Sequence, residues 1–575
     1  MSTFNEKYFL DFFYKTTRIQ SQYLNLPTEI SFNTCLSDCI SFCRKRREVE
    51  RIKDTRVFSD FYKFLVDDEV MKKINESEYI NLIDKISKAS NKAISYDEIE
   101  VYLKKIRFLF GKKHYYVLVE ELKSTINDND ARFDKIEKLT MNFINELIHE
   151  RLTYPYLSFA YNDYYKGKKY ENVYDFIDYL AFEENENIEM YLPLKNHTSR
   201  DLAFLQSQGQ QIDSREENGE KIVYCKVFAN DIDFFNICSE NMIRIESFFN
   251  LFKFYRESQI GFDYDKNVYI ERTKVLKDKL ELKFSTLISY TYFVGKQEIV
   301  ENVIENINKL KNSNNPLFYI INNVLSYAEK DNDLLTVGSF VDNWIALETL
   351  IKVSGFKSGF DGVISYVPST LSIQYYRKVL NETLKKCKSR RSIDVFFDDI
   401  FSSKIDFISE YYYSDREFIN NEIQVILSYK SFKNKLDSII DYLERDLYRI
   451  YNLRNEYVHS SNLTAPHGVQ YYKLKRLLSD FFDVFMKTLN AHLKDNHLGV
   501  SGVDVVSDMQ KKVDNRNIVF KIYSGHLKID GNLIKSSSLS TSLSDKQIVS
   551  NIIFDRVLLL NHSYQEDSKT DFIFD

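Results

Sequence analysis

Glycine and proline are scarce in this chain, 15 and 6 residues in 575, and there is a single tryptophan, whereas tyrosine and phenylalanine number 41 and 44. So few helix breakers and so many large side chains point to a mainly helical, well-filled globular protein. Excess positive charge is also missing: 78 Lys+Arg against 84 Asp+Glu leave a net −6. That excludes a protein that coats nucleic acid through bulk charge, so any such binding must be local. No uninterrupted apolar run approaches a membrane span, and the opening Met1-Ser-Thr-Phe-Asn-Glu-Lys-Tyr-Phe-Leu10 puts charges where a secretion signal needs an apolar core. A cytoplasmic protein with no membrane partner is expected. The six cysteines are too sparse for a disulfide framework. Cys35, Cys39 and Cys43 fall at i, i+4, i+8, a stripe of buried thiols or, less in keeping with zinc's four-ligand habit, part of a metal site. The expectation is no metal and no cofactor.

The length calls for about three or four domains. A helical N-terminal domain is expected over 1–190: from about Ser31 to Met190 the apolar residues recur at helical spacing, as in Phe58, Phe61, Phe64 and Leu65, with a break at Asn127-Asp-Asn-Asp130. The basic run Arg44-Lys-Arg-Arg47 reads as a solvated helix face or a nucleic-acid contact. Over 191–300 the pattern changes to a small α/β module. Lys221-Ile-Val-Tyr-Cys-Lys-Val-Phe-Ala229, Val268 to Arg272 and Leu280 to Ser285 have strand composition, and a helical run follows Asn230-Asp231. A helical bundle is expected over 301–498. From 499 to 575 the chain is a polar, serine-rich extension with strand-like pieces at Ile518 to Tyr523 and Ile552 to Leu560.

The chemistry concentrates in Asp446-Leu-Tyr-Arg-Ile-Tyr-Asn-Leu-Arg-Asn-Glu-Tyr-Val-His-Ser-Ser-Asn462. Asn455 and His459 are i and i+4 and share a helix face, with Arg454 about 100° round from Asn455. Pro466 places His459 in the last turn, where unpaired carbonyls favour imidazolium. A permanent cation beside a group that titrates near neutrality suits phosphodiester chemistry on RNA without a metal. Spacing alone equally allows an arginine capping a carbonyl and a histidine closing a helix.

The string 448–460 resembles the signature of HEPN domains: arginine, a polar residue, and histidine within four to six positions. Its Leu-Arg-Asn core, reached from a tyrosine and leading to Val-His, is most similar to the Apea-like branch of bacterial anti-phage, abortive-infection ribonucleases. Upstream, Phe340-Val-Asp-Asn-Trp-Ile-Ala-Leu-Glu-Thr-Leu-Ile351 resembles that branch's Trp-x-x-Leu-Glu-x-Leu helix. The resemblance covers roughly a third of the chain, Asn315 to Leu498, with its detail in these two helices. The strand, Ala-x-Asp turn and helix of the α/β module resemble a segment often found ahead of the bundle in such proteins.

The resemblance implies a metal-independent endoribonuclease that leaves a 2′,3′-cyclic phosphate and a 5′-hydroxyl. His459 would transfer protons, Arg454 would stabilise the phosphorane-like charge, and Asn455 would orient the phosphate or the imidazole. It also implies a homodimer bringing two motifs together, an RNA substrate, and a phage-derived or host trigger. Glu348, a carboxylate on an apolar helix, has Arg454 as implied partner, or else sits at the solvent edge. The densest positive patch is Arg377, Lys378, Lys385, Lys386, Lys388, Arg390 and Arg391, either an RNA-backbone contact or a charged helix exit. The competing function is an inactive HEPN module that binds RNA or protein as a dimer. Ser460-Ser461 stand where a His-x-Tyr control site for nucleotidyl transfer would need tyrosine.

Overall fold

With few breakers to interrupt them, helices dominate the computed structural model, which adds a small six-stranded antiparallel sheet and a two-stranded pair. The structure describes the chain except for 1–3, 18–30, 49–55, 129, 151, 166–171, 183–185, 218, 239–240, 243, 246–247, 250–258, 273–278, 285–296, 330–336, 353–358, 386–394, 397–398, 401–412, 460–467, 495–498, 524–527, 530–531 and 534–575. It forms two compact units, Met1–Leu287 and Ile288–Asp575. Among the described residues no helix is long and apolar enough to cross a membrane.

The first unit begins with α1 Phe4–Thr17, α2 Phe32–Glu48, α3 Arg56–Val66, α4 Glu69–Ile74, α5 Glu76–Ser90, α6 Tyr96–Asn127, α7 Phe133–Glu150, α8 Tyr154–Tyr165 and α9 Val173–Phe182. Their starts are written in short polar side chains. Asn75 accepts from Glu78 N at 3.0 Å to open α5, and Ser95 accepts from Glu98 N at 3.2 Å to open α6. Helix α6, 32 residues long, is the spine against which α2, α4 and α7 pack. Asn33 Nδ2 donates to Gly111 O at 3.3 Å while Arg44 meets Glu100 at 3.2 Å, so α2 runs antiparallel to α6. Gly111 permits that approach, because a Cβ there would stand 2.8 Å from Asn33 Oδ1. Cys35, Cys39 and Cys43 lie in the resulting core with Phe32, Phe58 and Leu103. Burial, with Cys35 adding to it, pushes the Cys39 thiol well above its ordinary value. Among the described residues no group of three His, Cys, Asp or Glu side chains is arranged to hold a metal.

The sheet follows: β1 Asn187–Lys195, α10 Ser199–Ser207, β2 Gln211–Glu217, β3 Glu220–Asn230, β4 Gly261–Phe262, β5 Asn267–Arg272 and β6 Lys279–Lys283. The order is β2-β3-β1-β5-β6, with β4 also paired to β1. Register places Tyr191 opposite Lys226 on one side and Tyr269 on the other. On that face the Arg215 guanidinium lies 3.7 Å from the centre of the Tyr191 ring and donates to Glu271 at 3.0 Å. The opposite face, with Met190, Leu192, Cys225 and Ile270, is buried core. Gly219, at φ +80, supplies the left-handed residue that the β2–β3 turn requires. After β3, buried Asp233 accepts from Phe235 N at 2.9 Å and Asn236 N at 3.1 Å, opening the next helical stretch. Burial pushes its carboxyl up to about 7, against the pull of its hydrogen bonds from Thr153 and Asn236.

The second unit contains α11 Gln297–Asn312, α12 Leu317–Glu329, α13 Val337–Lys352, α14 Gly359–Lys385, α15 Tyr413–Leu427, α16 Tyr429–His459, α17 Gly468–Lys494 and α18 Gly502–Tyr523, then the short pair β7 Lys528–Ile529 and β8 Asn532–Leu533. Helices α13, α14, α16 and α17 all pack against one another, a four-helix core to which the others add. The strand expected at Ile518 to Tyr523 is instead the end of α18. That helix docks on α14 and α17 through buried Val505, Val506 and Met509, and its continuation overrides the β-branched composition. The strand expected at Ile552 to Leu560 lies outside the described residues.

Candidate functional site

Helix α16 is 31 residues long because Phe432, Leu436, Ile439, Leu443, Leu447 and Ile450 recur every three or four positions and are buried, with no glycine or proline between them. Its C-terminal half carries the motif. Helix α13 crosses it antiparallel: Phe340 meets Tyr457 and Trp344 meets Tyr451, each pair with ring centres 5.6 Å apart. Phe360, from the start of α14, stacks on Tyr451 at 3.8 Å. One turn below, Lys473 of α17 donates to Asp446 at 3.0 Å, both side chains nearly sealed from solvent. The two helices that carry the sequence resemblance are thus direct neighbours.

Arg454 and Asn455 are both half-buried in the last turns of α16. Arg454 Nη1 donates to Asn455 Oδ1 at 3.1 Å, which fixes one edge of the guanidinium. Its Nε is buried and makes no hydrogen bond among the described residues. A guanidinium so placed has donor capacity in reserve for an anion. The backbone of His459 is the last residue of α16; its imidazole is outside the described side chains.

Glu348 is held within its own helix. It accepts from Trp344 Nε1 at 2.8 Å and lies 3.5 Å from Lys352 Nζ, and among the described residues no ion pair joins it to Arg454. Its carboxylate also meets the start of α14, since a Cβ at Gly359 would come within 3.0 Å of Glu348 Cδ. Glu348 therefore braces the α13–α14 junction beside the motif helix.

The basic patch divides. Lys378 is engaged with Asp480 of α17, which Arg476 also meets at 2.9 Å. Burial holds the Lys378 ammonium below lysine's usual value, with Asp480 opposing that shift. Its charge serves the bundle interior, a role that only a contact 102 residues distant reveals. Arg377 is half-buried on the same helix, and Lys385 ends it, with its side chain outside the description. Lys386, Lys388, Arg390 and Arg391 lie outside the described residues. Sequence reasoning did not single out Asp446, Tyr451, Phe360 or Lys473. The signal for Asp446 was an acid on the buried face of an apolar helix; nothing local pointed to Phe360.

No protein-family model, curated protein or solved structure matches this chain.

Proposed function

We propose that the chain is a metal-independent endoribonuclease of the HEPN class, using the end of α16 to cut RNA. The single observation that carries the reading is the Arg454–Asn455 pair, hydrogen-bonded at 3.1 Å with Arg454 Nε unsatisfied, on the helix that packs against Trp344 and α13. His459 removes the 2′-hydroxyl proton as that oxygen attacks the adjacent phosphorus, and a protonated imidazole returns a proton to the departing 5′-oxygen. If two motifs meet in a homodimer, those roles fall to the two imidazoles. Arg454 balances the charge on the phosphoryl oxygens and Asn455 orients it. The products are a 2′,3′-cyclic phosphate and a 5′-hydroxyl. In this reading the protein works in the bacterial cytoplasm, where an infection-linked trigger releases an RNA-cutting activity that halts growth.

The enclosure of Arg454 Nε supports a second reading, in which the motif is structural and the bundle is an inactive HEPN dimer that binds RNA or protein. One experiment separates them: incubation of a mixed RNA pool in EDTA with the parent and with His459→Ala, with product ends mapped and mass measured by light scattering. The nuclease reading expects cyclic-phosphate ends from a dimeric parent and a loss of about 10²–10⁴-fold in the equally dimeric variant. Cleavage that survives His459→Ala sinks it.

A further inference from the structure

Helix α6 carries a second feature that the proposed reaction does not use. Its outward face, from Val101 to Tyr116, alternates turn by turn between apolar and basic side chains. Phe108, 88% exposed, stands between Lys104–Lys105 and Lys112–Lys113, and Tyr116, 54% exposed, comes about 12 Å further on. No acid occurs in the sequence between Glu100 and Glu120. Among the described residues Lys105, Arg107, Lys112 and Lys113 make no ion pair, and Lys104 shares buried Glu100 with Arg44. That sharing joins the α6 face to Arg44, in the last turns of α2 beside the start of the stripe. Tyr116 is stacked on Phe182 at 5.2 Å with the rings 14° from parallel, a two-ring platform at the far end.

Val101, Phe108, Leu109 and Tyr116 together expose a row of large apolar side chains, and cations without ion pairs among the described residues, in a chain of net charge −6, are a local exception. We infer that this face of α6 is a docking surface for single-stranded RNA, with Phe108 and the Tyr116–Phe182 platform stacking bases and the intervening lysines meeting phosphates. The interleaving favours that occupant. A strand offers base and phosphate alternately, matching rings separated by cations. A bilayer would need a continuous apolar strip, which paired lysines interrupt here at each second turn. The choice of RNA rests on the nuclease reading; the polyanion character of the partner rests on charge alone.

The test is fluorescence anisotropy of a labelled single-stranded RNA of mixed sequence, titrated in EDTA with the full chain carrying His459→Ala, against the same chain with Phe108→Ala, Lys105→Glu and Lys112→Glu added. These side chains are exposed, and circular dichroism checks the fold. The triple variant is expected to bind about tenfold more weakly or worse. Its dependence of log affinity on log salt should be shallower by about 1.4, the share of two phosphate contacts on a single strand. Phe108→Tyr with Lys105→Arg and Lys112→Arg should restore both. Unchanged affinity and slope in the triple variant overturn the inference. So does a parent that binds phosphatidylglycerol vesicles and no RNA. The nuclease reading fails separately: an uncut RNA pool with binding through α6 intact leaves this surface standing, whereas cyclic-phosphate cleavage with α6-independent binding removes it.

Discussion

The two longest helices, α6 with 32 residues and α16 with 31, organise their units in opposite ways. Helix α6 turns aromatic and basic side chains outward, and its buried His114 is met inside by Asp68 and Phe32. His114 Nε2 lies 3.0 Å from Asp68, which also caps α4, and Phe32 stacks on the imidazole at 4.3 Å. Helix α16 turns its aromatics inward against Trp344 and Phe360, and its Asp446 is answered by Lys473 from another helix. Similar length therefore says little about role. What differs is where rings and charge are spent: outward on α6, where the cations of the Val101 to Tyr116 face make no ion pair among the described residues beyond Lys104 and a partner can use them, and inward on α16, where the charge is paired and holds the motif at a fixed place.

The sharpest way to break this comparison is to remove the inward charge match. Asp446→Ala leaves the Lys473 ammonium buried without its partner, and the second unit should lose about 3–5 kcal/mol. The only tryptophan, Trp344, lies in that unit, so its emission through a urea titration gives the midpoint directly. Replacing both partners, as Asp446→Leu with Lys473→Met, should recover most of the loss. A single variant as stable as the parent would mean that the pair is not the clamp on α16.

A second test lies in the first unit. The Asp233 carboxyl is raised from 3.8 to about 7 by burial, so between those values the folded chain holds a proton that the unfolded chain releases. The unfolded state then binds fewer protons, and stability from this group is present below about pH 4 and falls as pH rises towards 7, by at most ~4 kcal/mol. Thermal melts of the parent and Asp233→Asn across that window should differ in slope, the variant being flatter. Equal slopes would contradict the assignment.

The smallest effect sharpens the α6 side. Gly111→Ala drives a methyl group towards Asn33 Oδ1, whose amide is fixed by Glu146 at 2.9 Å, and should cost about 1–3 kcal/mol. Amide hydrogen exchange along α6 is the readout, and faster exchange at its centre is the expected result.

Helical regions were legible where one period and one apolar face sufficed. Helix α16 shows this, with Phe432, Leu436, Ile439, Leu443, Leu447 and Ile450 marking its buried face from end to end. Strands with β-branched composition, β3 and β5, were equally readable. β1 was not, because Ile188 to Leu194 is almost wholly buried and a two-sided buried strand does not alternate. β2, Gln-Ile-Asp-Ser-Arg-Glu-Glu, is nearly all polar and exists through its pairing with β3. At the candidate site, Arg454, Asn455 and His459 could be placed on one helix from spacing alone. The partner of Lys378 could not, since it depends on which helices pack together, whereas Glu348 turns to Trp344 and Lys352, one turn away on its own helix.

The outer strands of the sheet have a consequence for what can assemble on it. Exposed Gln211, Asp213, Ser214 and Glu216 line one border on β2, and Lys279, Glu281 and Lys283 the other on β6. Charged borders resist the addition of a foreign strand. Growth of the sheet by backbone pairing is disfavoured on both sides, so a visitor to this module has its loops and the rim of the Arg215 face to recognise, and fibre-like propagation through it has no ready template.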